Sequence, residues 1–181
     1  MATVQPASGG PYRLLDDSFL RFLPRPLREA RRAWLAIPLA WLLSFVGSIL
    51  LAFAVQKIAP NAESVSIPAL PAWAVIFGFA IISPVVESIL MGLGLQFLLG
   101  RMPPAIAILT SAVFWGILHS LQVPVWGLAI WWPFLIFSTL FVVWRQRGFW
   151  TGVWVAAATH MLQNLGPSLA IAYPGMFHSF G

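Results

Sequence analysis

The sequence contains no cysteine and little charge. Among its 181 residues, ten are Lys or Arg and five are Asp or Glu, so charged residues make up only 8%. The absence of cysteine excludes disulfides, iron–sulfur clusters and thiolate-bound zinc. The scarcity of charge excludes an ordinary soluble domain, in which about 25% of residues are charged.

Long apolar runs take the place of charge. Hydrophobic residues make up 60% of the sequence, and the mean hydropathy is +0.86. A helix needs about 20 apolar residues to cross a bilayer. Charges, prolines and glycines delimit five blocks of roughly this length, of which the third is the shortest. We therefore expect an all-α, polytopic membrane protein with about five transmembrane helices, at residues 35–56, 71–99, 104–121, 125–144 and 149–171.

The second block is the longest and contains Pro84. This proline either kinks one long helix or marks a turn between two short ones. If the block crosses once, nine of the ten basic residues lie on one side of the membrane and only Lys57 lies on the other. The positive-inside rule favours that arrangement, with the N-terminus in the cytoplasm. We expect one long helix that is tilted or kinked.

Composition divides the chain into four segments. We interpret residues 1–34 as a cytoplasmic, arginine-rich arm, 35–70 as the first transmembrane helix with an external loop, 71–171 as the membrane core and 172–181 as a C-terminal tail. The net charge of +5 comes from basic residues that flank apolar spans, which is typical of topology signals and not of a nucleic-acid surface. The expected location is the bacterial plasma membrane, with the lipid bilayer as partner.

Four of the polar residues inside the apolar blocks are candidate site residues. Glu87 is the only charged residue well inside any block, and the other three are His119, His160 and Asn164. Ionising an acid there is expensive, so Glu87 needs a partner, a proton, a metal or a water-filled cavity. Counted from the cytoplasmic block edges, all four lie roughly 16–22 Å deep at ~1.5 Å per residue. We therefore expect one polar layer built from three helices.

These residue types support two routes to peptide hydrolysis. Glu87, His119 and His160 form a three-ligand set suited to zinc, with an open position where bound water would be acidified. Without a metal, Glu87 is the general base for a water that His119 holds, and His160 and Asn164 stabilise the oxyanion. Zinc is the one cofactor that the pattern suggests. The H-E-x-x-H signature of soluble zinc proteases is absent.

The order of these residues along the chain resembles a known family. The motifs, on successive membrane helices, are Pro84-x-x-Glu87, Trp115-x-x-x-His119 and His160-x-x-x-Asn164. They are similar to those of the CPBP family of intramembrane proteases, which includes CAAX proteases and bacteriocin-processing enzymes. That family usually carries Pro-x-x-Glu-Glu-x-x-x-Arg, Phe-x-x-x-His and His-x-x-x-Asn. The resemblance covers residues 71–170 and identifies 71–171 as a CPBP-like core.

The resemblance implies an intramembrane peptidase that acts on a membrane-associated or lipidated peptide. It implies that Glu87 and His119 position and activate the hydrolytic water, and that His160 and Asn164 complete the site. Members cleave prenylated CAAX tails, process peptides or confer immunity to bacteriocins, and the motifs do not choose among these substrates. Whether a metal takes part stays open.

Three positions depart from the family pattern. Ser88 replaces the second glutamate, Gly92 replaces the arginine and Trp115 replaces the phenylalanine. Losing the glutamate and the arginine together keeps the charge balanced. It also avoids leaving a lone arginine in lipid, which would be costly. These changes also support an alternative function: a non-proteolytic relative that binds a membrane partner or confers self-immunity to a bacteriocin.

Overall fold

The computed structural model describes residues 14–61 and 70–176, and within these ranges the chain is helical throughout, without strands. The all-α expectation is confirmed, since each predicted apolar block forms one long helix. Single helical turns lie at Phe19–Phe22, Arg25–Arg28, Arg145–Arg147 and Pro174–Met176. The long helices are α1 (Ala33–Ile58), α2 (Ala72–Leu99), α3 (Pro104–Ser120), α4 (Gly127–Trp144) and α5 (Phe149–Ala172).

Three of the helices are long and apolar enough to cross a membrane on their own: α1, α2 and α4 with the turn that follows it. Helix α3 is apolar but has only 17 residues. Helix α5 has 24 residues and carries polar side chains near its middle. The protein is an integral membrane protein. The cytoplasmic position of its N-terminus stays a prediction.

Helix α2 is one continuous helix, as the distribution of basic residues predicted, and the interpretation as two short helices is wrong. The disturbance expected at Pro84 takes the form of a π-helical segment, Ile76–Ile82, between α-helical Ala72–Val75 and Ser83–Leu99. At its end, the Ser83 N–H donates to the Gly78 carbonyl five residues earlier. Wide turns of this kind are rare and are frequently found at functional sites.

Helix α4 is the centre of the core. Every residue from Pro133 to Trp144 is buried, and the helix packs against α1, α3 and α5. Contact with α3 is closest where two glycines meet: a Cβ on Gly127 would lie 1.9 Å from the Gly116 carbonyl oxygen. The Gly127 N–H also donates to Ser120 Oγ at 3.2 Å. These contacts bring the C-terminal end of α3 against the start of α4.

The described part of the N-terminal arm folds back onto the bundle. Leu15, Leu20, Leu23 and Leu27 are buried, and the Arg25–Arg28 turn packs against α1 and α4. Residues 1–13 of the arm, 62–69 of the external loop and 177–181 of the C-terminal tail lie outside the described residues.

Replacing Gly127 by alanine should destabilise the bundle. The new methyl group would meet backbone atoms of α3, which cannot move aside as a flexible side chain can. Because overpacking typically costs about 1–3 kcal/mol, we expect Gly127→Ala to lower the midpoint of thermal unfolding in detergent.

Gly94→Ala is the matched control for this change. Gly94 also lies within a membrane helix, but nothing lies within 4 Å of the position that its new methyl group would occupy, so this variant should unfold like the parent. Equal unfolding midpoints for the two variants would contradict the close contact between α3 and α4.

Candidate active site

Glu87 lies one turn after the π-helical segment of α2. The Ser83 hydroxyl, four residues earlier, donates a hydrogen bond to Glu87 Oε1. The other carboxylate oxygen, Oε2, is buried and has no hydrogen-bond partner within the described ranges. One oxygen is therefore held in place, and the other keeps its full capacity to accept a proton or a hydrogen bond.

His119 is the penultimate residue of α3. Its Nδ1–H donates to the Trp115 carbonyl oxygen one turn earlier, at 2.8 Å. This hydrogen bond assigns the tautomer: in the neutral ring, Nε2 carries the lone pair and is an acceptor. The ring centroid lies 5.4 Å from those of both Trp126 and Phe134. The aromatic contacts and the hydrogen bond together fix the direction of Nε2.

His160 lies in the middle of α5 and is only 4% exposed. Its ring stacks on Phe137 at a centroid distance of 4.5 Å and meets Phe134 edge-on at 5.4 Å. The Nδ1 atom is buried and has no hydrogen-bond partner among residues 14–61 and 70–176. Phe134 therefore contacts both imidazoles, and α4 supplies the aromatic surface on which they are arranged.

The two histidines meet at α4: His119 of α3 and His160 of α5 both contact the ring of Phe134. Glu87 comes from a third helix, α2, where its Oε1 accepts from Ser83. The meeting of all three side chains in one layer, which their depths in the sequence predict, stays a prediction.

Asn164 makes a different contact. Its Nδ2–H donates to the carbonyl oxygen of Phe79 at 3.0 Å, within the π-helical segment of α2. Phe79 lies eight residues before Glu87 in the chain. The fourth predicted residue thus joins α5 to the backbone of α2.

No group of three His, Cys, Asp or Glu side chains that could hold a metal ion occurs in the part of the chain that the structure describes. The predicted zinc set of Glu87, His119 and His160 is thus not arranged as a ligand set in this structure. We therefore derive the chemistry from the side chains alone, and zinc stays a prediction to be tested.

The two lost motif residues are replaced by close packing. Ser88 is fully buried, and a Cβ on Gly92 would lie 2.7 Å from Cε2 of Phe141. The phenylalanine ring of α4 lies against the position from which the family's arginine would extend. Packing between α2 and α4 therefore occupies the place where the motif of the resembled family has a Glu–Arg charge pair.

Several residues at the site were not singled out in the sequence. Ser83 has a recognisable signal, because a serine four residues before a buried acid shares its helix face. The others are three aromatic residues: Trp126, Phe134 and Phe137. No sequence signal marks them, because the chain has 14 phenylalanines and 10 tryptophans in similar surroundings.

Restoring the family's charge pair should destabilise the protein. We expect Ser88→Glu/Gly92→Arg to unfold at a lower temperature in detergent than the parent, because two long side chains would enter a filled interface between α2 and α4. An unchanged unfolding midpoint together with a gain of peptidase activity would contradict this account of the interface.

A sequence model of one known family matches residues 68–166, and its description is type II CAAX prenyl endopeptidase Rce1-like. No curated protein and no solved structure matches significantly. The matched range covers more than half of the 181-residue chain and includes Glu87, His119, His160 and Asn164. The resemblance seen in the sequence is confirmed, and the chain belongs to the type II CAAX prenyl endopeptidase Rce1-like family.

Proposed function

We propose that the protein is an intramembrane endopeptidase that hydrolyses a peptide bond in a membrane-associated or lipidated peptide. The observation that carries the proposal is the arrangement of Glu87 and His119. Glu87 has one oxygen held by Ser83 and one buried oxygen without a partner in the described chain, and the His119 ring is fixed by its hydrogen bond to the Trp115 carbonyl oxygen. The proposed site comprises these two residues, His160 and Asn164.

In the proposed reaction, Glu87 and His119 bind the two hydrogens of a water molecule. Glu87 Oε2 and His119 Nε2 are both acceptors, so they orient the water oxygen toward the peptide carbonyl carbon. As the oxygen attacks, Glu87 takes one proton and the carbonyl electrons move to the oxygen. When the C–N bond breaks, Glu87 returns the proton to the leaving amine. The products are a carboxylic acid and an amine.

His160 is the proposed donor to the oxyanion. Its ring is fixed by Phe134 and Phe137, and its Nδ1 makes no hydrogen bond to the described residues. An imidazole N–H held in this way stabilises negative charge without having to reorganise during the reaction. The aromatic contacts account for its orientation, since the ring cannot turn without losing the stacking on Phe137.

An apolar groove on the two helices that carry Glu87 and His160 is the proposed place for the lipid of a lipid-linked substrate. It lies between the π-helical segment of α2 and helix α5, which are the two elements joined by Asn164 and Phe79. We propose that the lipid-linked part of the substrate approaches along this groove. Its volume is about 400 Å³, and it is lined by Ile76, Ala80, Ile81, Ala158, Met161, Leu162 and Leu165.

Replacing Glu87 by glutamine should abolish cleavage. The amide cannot take a proton from water, so we expect kcat on a prenylated CAAX peptide to fall by about 10²–10⁴-fold, the usual contribution of a general base. The measurement is cleavage by the purified protein in detergent, alongside its unfolding midpoint.

The matched control is Glu29→Gln, which removes a carboxylate from the N-terminal arm, where Glu29 pairs with Arg31. This variant should cleave like the parent. If Glu87→Gln keeps full activity, the proposed function is wrong. If neither protein cleaves and Glu87→Gln only lowers the unfolding midpoint while protection or partner binding persists, the non-proteolytic alternative is supported.

Metal removal should leave the activity unchanged. Since no three-residue ligand set is formed among the described side chains, we expect 1,10-phenanthroline or EDTA to have no effect on kcat. Element analysis of the purified protein provides an independent measurement. Loss of activity that added zinc restores would show instead that Glu87, His119 and His160 converge on a metal in the working enzyme.

A further inference from the structure

The carbonyl oxygen of Phe79 lacks a backbone donor in either helical register. In an α-helix its donor would be the Ser83 N–H, but that N–H donates to Gly78. In a π-helix its donor would be residue 84, which is a proline and has no N–H. The oxygen lies inside a candidate membrane span, where lipid offers no hydrogen bond to replace the missing one.

Asn164 supplies the missing donor from another helix. Its Nδ2 lies 3.0 Å from the Phe79 oxygen. Asn164 follows His160 by one turn of α5 and lies on the same face. Phe79 precedes Glu87 by about two helical turns. A single hydrogen bond therefore connects the helix that carries the imidazole with the helix that carries the carboxylate.

The same backbone segment also orients Glu87. The main chain of Ser83 makes the last observed π-type hydrogen bond, to Gly78, and its side chain donates to Glu87 Oε1. Any shift of this segment relative to α5 changes the position of Ser83 and so moves the carboxylate. Among the described residues, no other side-chain hydrogen bond joins α2 to α5, and the walls of the groove between them are apolar.

We propose that Asn164 is a positioning residue whose partner is the backbone. Its side chain donates to the Phe79 carbonyl oxygen, which Pro84 leaves without a backbone donor. This hydrogen bond sets the position of α2 relative to α5, and hence of Glu87 relative to His160. The effect on catalysis rests on the proposed peptidase function, whereas the hydrogen bond and its dependence on Pro84 do not. This role differs from the one predicted from the sequence, in which Asn164 stabilises the oxyanion.

The dependence on Pro84 gives a specific test. In Pro84→Ala, residue 84 regains an N–H that is in register to donate to Phe79, so the side chain of Asn164 is no longer required there. We expect Asn164→Leu to lower the unfolding midpoint by about 2–4 °C in the parent, the shift produced by losing one ordinary interaction in a chain of this size. In the Pro84→Ala background, the same substitution should cause little or no shift.

Gln163→Leu is the matched control. Gln163 is the neighbouring amide on α5, but it accepts from Ser44 Oγ at 2.7 Å and donates to Ser48 Oγ at 3.3 Å, both on α1. Its removal should lower the midpoint equally in both backgrounds. The midpoints of the parent, the single variants and the double variants are measured in the same detergent. An equal effect of Asn164→Leu with and without Pro84 would overturn the proposal.

Kinetics separate positioning from contact with the substrate. Asn164→Leu should lower kcat between about tenfold and a hundredfold in the parent, because misplacement of a reacting group by about 1 Å has effects of that size, while KM changes little. The loss should be much smaller in Pro84→Ala.

An unchanged kcat in Asn164→Leu would overturn the positioning role. A loss of kcat that is equal in both backgrounds, without coupling in stability, would assign Asn164 to the oxyanion. The unfolding measurements do not depend on peptidase activity. They therefore test the hydrogen bond of Asn164 even if the peptidase proposal fails.

Discussion

Lipid cannot replace a missing hydrogen bond, so polar groups inside this protein must find their partners within the protein itself. The helices are accordingly joined by polar contacts: Ser44 of α1 donates to Gln163 of α5, Trp132 Nε1–H of α4 donates to the Leu43 carbonyl at 2.9 Å, and Ser138 of α4 donates to Ser111 of α3 at 3.0 Å. Five buried side-chain atoms in the described ranges lack such a partner: Glu87 Oε2, His160 Nδ1, Ser88 Oγ, Trp41 Nε1 and Trp144 Nε1. In the proposed reaction, the first of these binds water and the second binds the oxyanion.

Helix α4 contributes none of the four predicted site residues, yet it determines where two of them lie. Phe134 contacts the rings of His119 and His160, and Phe137 stacks on His160. Phe141 fills the position next to Gly92, where the motif of the resembled family has an arginine. A helix made almost entirely of apolar residues thus orients the imidazoles and fills the space that the charge pair would need.

The helical fold could be predicted because it rests on a strong signal in residue identity. Apolar length predicted five long helices, and the distribution of basic residues predicted that α2 is one continuous helix, whereas the meeting of Glu87, His119 and His160 stays a prediction from their shared depth. The contact of Asn164 could not be predicted in this way. Its partner is a backbone carbonyl, which every residue has, and it becomes available only through the π-helical register before Pro84. The contact between Gly116 and Gly127 also depends on a pairing of helices that spacing within one helix does not reveal.

Helix α3 is the shortest of the five, and its length has a consequence for the supply of water. Seventeen residues rise only about 26 Å, whereas the hydrocarbon layer is about 30 Å thick. His119 lies one residue before the end of this helix. A helix of this length crosses a bilayer only with thinning of the bilayer or hydration beside its end. In the proposed reaction, either response shortens the path of the nucleophilic water from bulk solvent to Glu87, so the short helix would provide the point of entry for one of the reactants.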